Sequence, residues 1–140
     1  MTDHKSSKQA ESLANAVAMA AIGWEAVERS WDQKRGDGGD FIALRLWLAL
    51  VYVALETWND VAVKLPSEKL AAFSSTPEAG RLRLLRNKTF HHGGSLLPKQ
   101  VAAFWDEEDS IKWAHDVFTT LSELAAVHFL GWKPADFKRP

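Results

Sequence analysis

A short basic segment of the chain concentrates the side chains best suited to chemistry. Four cations fall within eight positions: Arg81, Arg83, Arg86 and Lys88. Two imidazoles and two glycines follow directly: His91, His92, Gly93 and Gly94. No acidic residue occurs between Glu78 and Asp106. Because Arg offers forked donors and Gly allows close approach, the segment favours phosphate binding; the alternative is a solvated basic face, paired with acidic residues 106–109.

The spacing of these residues limits how they can act together. On an ideal helix, five steps of ~100° place Arg86 and His91 about 140° apart, so the two do not share a face. Asn87 and His91 are four apart and do share one. Arg86 can therefore meet His91 through its long side chain, a frayed helix end or a second subunit. A symmetric dimer would bring two such helix ends together, which makes a composite site physically reasonable.

The run Leu85-Arg86-Asn87-Lys88-Thr89-Phe90-His91 resembles the signature of the HEPN family, the higher eukaryotes and prokaryotes nucleotide-binding domain. That signature is an Arg, four to six residues and then a His, commonly with a polar residue just after the Arg. Arg86, Asn87 and His91 match it, and Gly93-Gly94 resembles the loop that follows the His. The resemblance implies a compact α-helical bundle that is usually dimeric. Several members belong to toxin–antitoxin or phage-defence systems.

Many members of this family are metal-independent endoribonucleases with a composite site at the dimer interface. On this hypothesis the RNA 2′-hydroxyl attacks the neighbouring phosphate, His91 moves the proton, and Arg86 offsets the growing charge. The expected products are 2′,3′-cyclic phosphate and 5′-hydroxyl ends, formed without a metal or cofactor. The implied catalytic residues are Arg86, Asn87 and His91, and the implied substrate-binding residues are Arg83, Lys88 and His92.

Two other functions stay open. Some family members keep the fold but act as binding or regulatory partners. The chain could thus be a non-catalytic interaction or nucleotide-binding module that partners a nucleotidyltransferase-like antitoxin. It could also be a helical oligomerisation protein whose basic helix is only solvated. Near the end of the second predicted helix, Glu56, Asn59 and Asp60 either line the composite cleft or solvate that helix end.

Composition excludes several classes of protein. The 140 residues are 46% hydrophobic and 25% charged with a net charge of −1, which is typical of one soluble domain and not of a disordered chain. The absence of Cys excludes disulfide scaffolds and thiolate metal sites, and no Glu-x-x-His pair occurs for a di-iron bundle. The longest apolar run, Phe41 to Leu55, contains Arg45 and is shorter than the roughly 20 residues of a membrane span. We therefore expect no membrane partner and a cytoplasmic location.

Apolar periodicity predicts an all-α fold, a four-helix bundle with short extra helices in a single domain of residues 1–140. The long helices are predicted at about 7–34, 41–65, 76–91 and 106–131, with short elements at 67–73 and 98–105 and loosely ordered tails at 1–6 and 133–140. The first helix carries a core stripe: Leu13, Val17, Ala20, Trp24, Val27 and Trp31. The second repeats it: Leu44, Leu48, Val51, Leu55, Trp58, Ala62 and Leu65. Most of the seven Trp residues are expected in the core, and several also at a subunit interface.

Overall fold

The computed structural model describes residues 4–32, 39–90 and 108–130, which form five helices and no strand. The helices are α1 (His4–Asp32), α2 (Gly39–Val61), α3 (Glu68–Ser74), α4 (Pro77–Phe90) and α5 (Glu108–Leu130). The four long helices pack as a bundle, with α3 as a short additional helix. The predicted all-α bundle is therefore confirmed. The predicted short helix at 98–105 and the tail at 133–140 lie outside the described residues.

Helix α2 is the centre of the bundle, because it packs against each of the other four helices. Its predicted stripe is buried at every position within the helix, from Leu44 to Trp58. By length and composition the window Ile42–Val61 could cross a membrane, but 56% of that window is buried inside the bundle. The central helix of a helical bundle passes the same test, so the apolar character of α2 is explained by its place in the core.

Helix α1 packs closely on α2 at a glycine. A Cβ atom at Gly23 would lie 3.2 Å from Leu50 Cδ1 and 3.3 Å from Trp47 Cα, so only hydrogen fits there comfortably. The predicted stripe of α1 is confirmed except at its end. Trp24 is half-buried, and Trp31 is 39% exposed, so its assignment to the core is wrong. Trp31 lies in the last turn of α1, where its ring packs edge-on against Trp24 of the same helix.

The ends of the helices differ modestly from prediction. No Pro or Gly interrupts residues 4–12, so α1 extends back to His4, through part of the predicted tail. Helix α2 ends at Val61 instead of Leu65, and the Trp58 indole N–H donates to the Leu65 carbonyl at 2.8 Å across the following turn. The short element predicted at 67–73 is the helix Glu68–Ser74, and the Ser67 hydroxyl caps it by accepting from the Leu70 backbone N–H.

Candidate functional site

Helix α4 presents the basic segment on one side and core residues on the other. Ala79, Leu82 and Leu85 are buried against the bundle, while Arg83 and Lys88 are exposed. Pro77 occupies the first position of α4, as predicted, since its missing N–H costs nothing there. The helix therefore displays its cations at a fixed place on the bundle surface.

Arg86 is held by three neighbours. Its Nη1 and Nη2 atoms donate to the two carboxylate oxygens of Glu56 at 3.1 and 3.2 Å. Its Nε atom donates to Asn87 Oδ1 at 2.8 Å, and the guanidinium carbon lies 5.0 Å from the centre of the Tyr52 ring. The Arg86 side chain is 23% exposed and that of Glu56 is 45% exposed. A forked ion pair and an aromatic face together orient this guanidinium more strictly than solvent would.

Tyr52 completes this group on α2. Burial raises the pKa of Tyr52 above its ordinary value, and the charge of Glu56 and a hydrogen bond to Glu56 raise it further. The nearby Arg83 and Arg86 guanidiniums pull the pKa in the opposite direction. The phenol is therefore neutral near pH 7 and can donate to Glu56, which already accepts from Arg86.

Arg45 attaches the end of α4 to the start of α2. Its Nε atom donates to Thr89 Oγ1 at 3.0 Å, and its Nη2 atom donates to the Lys88 carbonyl oxygen at 2.9 Å. A cation at this place satisfies a carbonyl of the last helical turn and complements the negative end of the helix dipole. Arg45 thus positions the turn of α4 that precedes His91.

More carboxylates pair with the cations of the basic segment than its sequence indicates. Arg81 pairs with Glu78 at 3.2 Å on the same helix, and Arg86 pairs with Glu56 on α2. The local sequence does not reveal the partner of Arg86, because Glu56 is thirty residues away along the chain. Arg83, in contrast, has no ion pair or hydrogen bond to another residue in the part of the chain that the structure describes.

A cleft of about 190 Å³ opens beside Arg83, between α2, α3 and α4. The described residues that line it are Tyr52, Leu55, Asn59, Ser74, Ala79, Gly80 and Arg83. Of the three polar positions considered near the end of α2, Asn59 lines this cleft, Glu56 holds Arg86 beside Tyr52, and Asp60 is exposed to solvent. This is a cleft within one protomer, so the predicted cleft between two protomers is a separate feature.

The structure brings Arg86 and Asn87 together, whereas His91 and His92 lie outside the described residues. Within residues 4–32, 39–90 and 108–130, no group of three His, Asp or Glu side chains could hold a metal ion. Sequence reasoning missed Tyr52 and Arg45 as parts of the site. For Arg45 a signal existed, because it is a lone cation inside a long apolar run.

Comparison with known proteins adds no relative. No family model matches the chain, and neither a curated protein nor a solved structure matches it at a significant level. The candidate site is therefore defined by its own geometry: a guanidinium held at α4, an exposed Arg83 and an adjoining cleft.

Proposed function

We propose that this protein is a metal-independent endoribonuclease of HEPN type that acts as a homodimer on RNA. The observation that supports this most is the oriented guanidinium of Arg86, held by Glu56, Asn87 and Tyr52 five residues before His91. A cation that served only to solvate the helix would not need a forked partner and an aromatic face. As a cytoplasmic nuclease it would be suited to a role as a toxin or phage-defence component.

The proposed chemistry uses the 2′-hydroxyl of RNA as the nucleophile. The 2′-oxygen forms a bond to the adjacent phosphorus, the bond from phosphorus to the 5′-oxygen breaks, and a 2′,3′-cyclic phosphate and a 5′-hydroxyl result. His91 moves the proton between these two oxygens, because its ordinary pKa lies near neutrality. Arg86 offsets the charge that grows on the phosphate oxygens. Arg83, Lys88 and His92 attract the RNA backbone, so affinity falls as salt rises.

The test is metal-free incubation of the full chain with RNA in the presence of a chelator. We expect the wild type to release 2′,3′-cyclic phosphate ends and His91→Ala and Arg86→Ala to lose at least about 100-fold in rate. His128→Ala and Arg29→Ala are matched controls, because both residues are exposed on other helices, and both should cleave normally. Cleavage that survives in both site variants, or that requires added metal, would contradict the proposal.

The homodimer has its own test. If one protomer's Arg86 works with its partner's His91, a mixed dimer of Arg86→Ala and His91→Ala chains retains one complete pair. Mixing the two inactive variants should then restore part of the activity, as measured by the same cleavage assay. A protein that sediments as a monomer at assay concentration while cleaving RNA would contradict the composite site.

A non-catalytic interaction or nucleotide-binding module that partners an antitoxin is the second candidate. It is favoured by the fact that Glu56 occupies both terminal nitrogens of Arg86, which a phosphate would have to displace. Glu56→Gln separates the two functions, because it removes the competing charge and keeps the side-chain shape. A wild type and a Glu56→Gln variant that both bind RNA or nucleotide without cleaving it would support the second candidate.

A further inference from the structure

The cleft between α2, α3 and α4 has a defined chemical character. Arg83 is the one charged residue among the described residues that line it, and Asn59 and Ser74 are polar. The neighbouring ion pair of Arg86 and Glu56 is neutral as a pair, and no carboxylate among the described residues pairs with Arg83. A guanidinium that pairs with none of the described residues is suited to an anion, and above all to a phosphate oxygen.

Asn59, beside Arg83, also has hydrogen-bonding capacity that none of the described residues uses. Asn59 Nδ2 donates to Ser74 Oγ at 3.3 Å, and Ser74 Oγ donates in turn to the Leu70 carbonyl oxygen at 3.0 Å. This chain of bonds orients the Asn59 amide, and it leaves a second amide hydrogen and Oδ1 for a ligand. Tyr52 and Leu55 add an apolar wall against which a sugar or base could pack.

The size of the cleft limits which ligands can fit. Ordinary ligand pockets enclose roughly 300–1,000 Å³, whereas this cleft encloses about 190 Å³. It is too small for a dinucleotide cofactor but has room for a single phosphate with part of its nucleoside. Arg83 precedes Arg86 by three residues, or about 4.5 Å along the helix axis. A strand held at Arg86 would therefore pass directly over the cleft.

We propose that this cleft is a subsite for one phosphate-bearing nucleotide, with Arg83 on the phosphate and Asn59 on the sugar or base. The proposal deepens the proposed function and rests on it in taking RNA as the natural source of that nucleotide. A free mononucleotide would present the same chemistry, so both sources are tested below.

Gly80 offers a way to close the cleft without disturbing the bundle. It lines the cleft and is exposed in the middle of α4, where an added Cβ would meet no atom of the described residues within 4 Å. Gly80→Met would place a long side chain over the opening, and Gly80→Ala is its matched control with a comparable gain in helix propensity. Arg83→Gln removes the charge, and Arg29→Gln removes an exposed charge on α1 as the control for net charge.

The experiment titrates the full-length wild type and these four variants with adenosine monophosphate, inorganic phosphate, adenosine and a short RNA, followed by calorimetry or amide chemical shifts. We expect the monophosphate or the RNA to bind saturably, and phosphate-free adenosine to bind at least about tenfold more weakly than the monophosphate. Gly80→Met and Arg83→Gln should weaken binding by a similar factor, whereas Gly80→Ala and Arg29→Gln should bind as the wild type. Binding of the monophosphate would assign the cleft to free nucleotides as well as RNA, and binding of RNA alone would assign it to a strand.

The subsite proposal is overturned if neither the monophosphate nor RNA binds, or if Gly80→Met and Arg83→Gln bind both as tightly as the wild type. Its failure is distinguishable from failure of the nuclease proposal. Cleft-dependent binding without any metal-free cleavage overturns the nuclease alone. His91-dependent cleavage that is indifferent to Gly80→Met overturns the subsite alone.

Discussion

The contact between α1 and α2 and the contact between α2 and α4 are built from different kinds of side chain. The first is apolar and close, with Gly23 set against the backbone of Trp47. The second contact contains long polar side chains, because Arg45 and Glu56 of α2 form hydrogen bonds with residues on α4. The first contact is suited to holding the fold, and the second is suited to placing charged groups at the surface.

The two contacts also differ in how their polar atoms are satisfied. The Trp47 indole N–H is buried with no hydrogen-bond partner among the described residues, so its contribution comes from packing alone. On the other side of α2, Glu56 accepts from Arg86, and the Lys88 carbonyl accepts from Arg45. Truncating an apolar side chain should therefore destabilise the first contact most, and neutralising a charged side chain should destabilise the second contact most.

The largest effect is expected from Trp47→Ala. Trp47 is fully buried, and its ring packs on those of Trp24 and Phe118. Its truncation leaves a cavity at the centre of the bundle and should lower the free energy of unfolding by about 3–5 kcal/mol, as measured by urea denaturation. Trp31→Ala is the control, since that ring is 39% exposed, and it should cost well under half as much. Equal losses would show that the α1–α2 core is not where the structure places it.

A second prediction sets two helical glycines against each other. Gly23→Val should lower the free energy of unfolding by about 2 kcal/mol, because the added carbons overpack the space before Trp47. The same change at Gly80 meets no neighbour and should raise stability by a few tenths of a kcal/mol, since Val is a better helix former than Gly. The measurement is again urea denaturation. If Gly23→Val is as stable as the wild type, the close approach of α1 to α2 is not real.

Arg45→Met tests the polar contact with little change in side-chain volume. It removes the bonds to Thr89 and to the Lys88 carbonyl, and it should cost about 1–2 kcal/mol of stability. The loss should be accompanied by faster hydrogen exchange in the last turn of α4. Lys69→Met, at an exposed position on α3, is the control and should change neither quantity. Unaltered exchange in α4 would contradict the role given to Arg45.

The smallest effect concerns alkaline pH and Tyr52. Its pKa is raised in the folded state, so that state binds more protons than the unfolded chain above about pH 10. The stabilisation is thus fully present below that pH and is lost as the pH rises through the folded pKa. Between about pH 9 and 11 the wild type should lose stability more steeply than Tyr52→Phe, since other titrating groups are common to both.

The chain allows a direct check of that pKa. Tyr52 is its single tyrosine, so the phenolate absorbance reports this residue alone. Glu56→Gln should bring the titration midpoint down toward the ordinary value, because Glu56 raises the pKa by charge and by hydrogen bonding. Parallel stability curves for wild type and Tyr52→Phe, with an unchanged midpoint in Glu56→Gln, would contradict the contact between Tyr52 and Glu56.

Much of the apolar contact between α1 and α2 could be predicted from the sequence. Little of the polar contact between α2 and α4 could be. The stripe from Leu44 to Trp58 is local information, because a helix converts spacing along the chain into a face. The partnership of Arg86 with Glu56 joins residues that are thirty apart, and no local pattern encodes it. The predicted burial of Trp31 is wrong for a related reason, since periodicity shows which face a residue lies on but not where the neighbouring helix ends.

The sequence by itself determined that the chain is helical, which helix is central and where α4 begins, because these follow from periodicity, Gly and Pro positions, and apolar content. It also determined that a basic segment is followed directly by His91. The HEPN-type nuclease remains a prediction drawn from that order of residues. Only the tertiary structure decided that Glu56 and Tyr52 hold Arg86 and that Arg83 lines a cleft. The physical reason is that an ion pair or a cleft depends on the docking of separate helices, and their relative rotation is set by packing across the whole bundle.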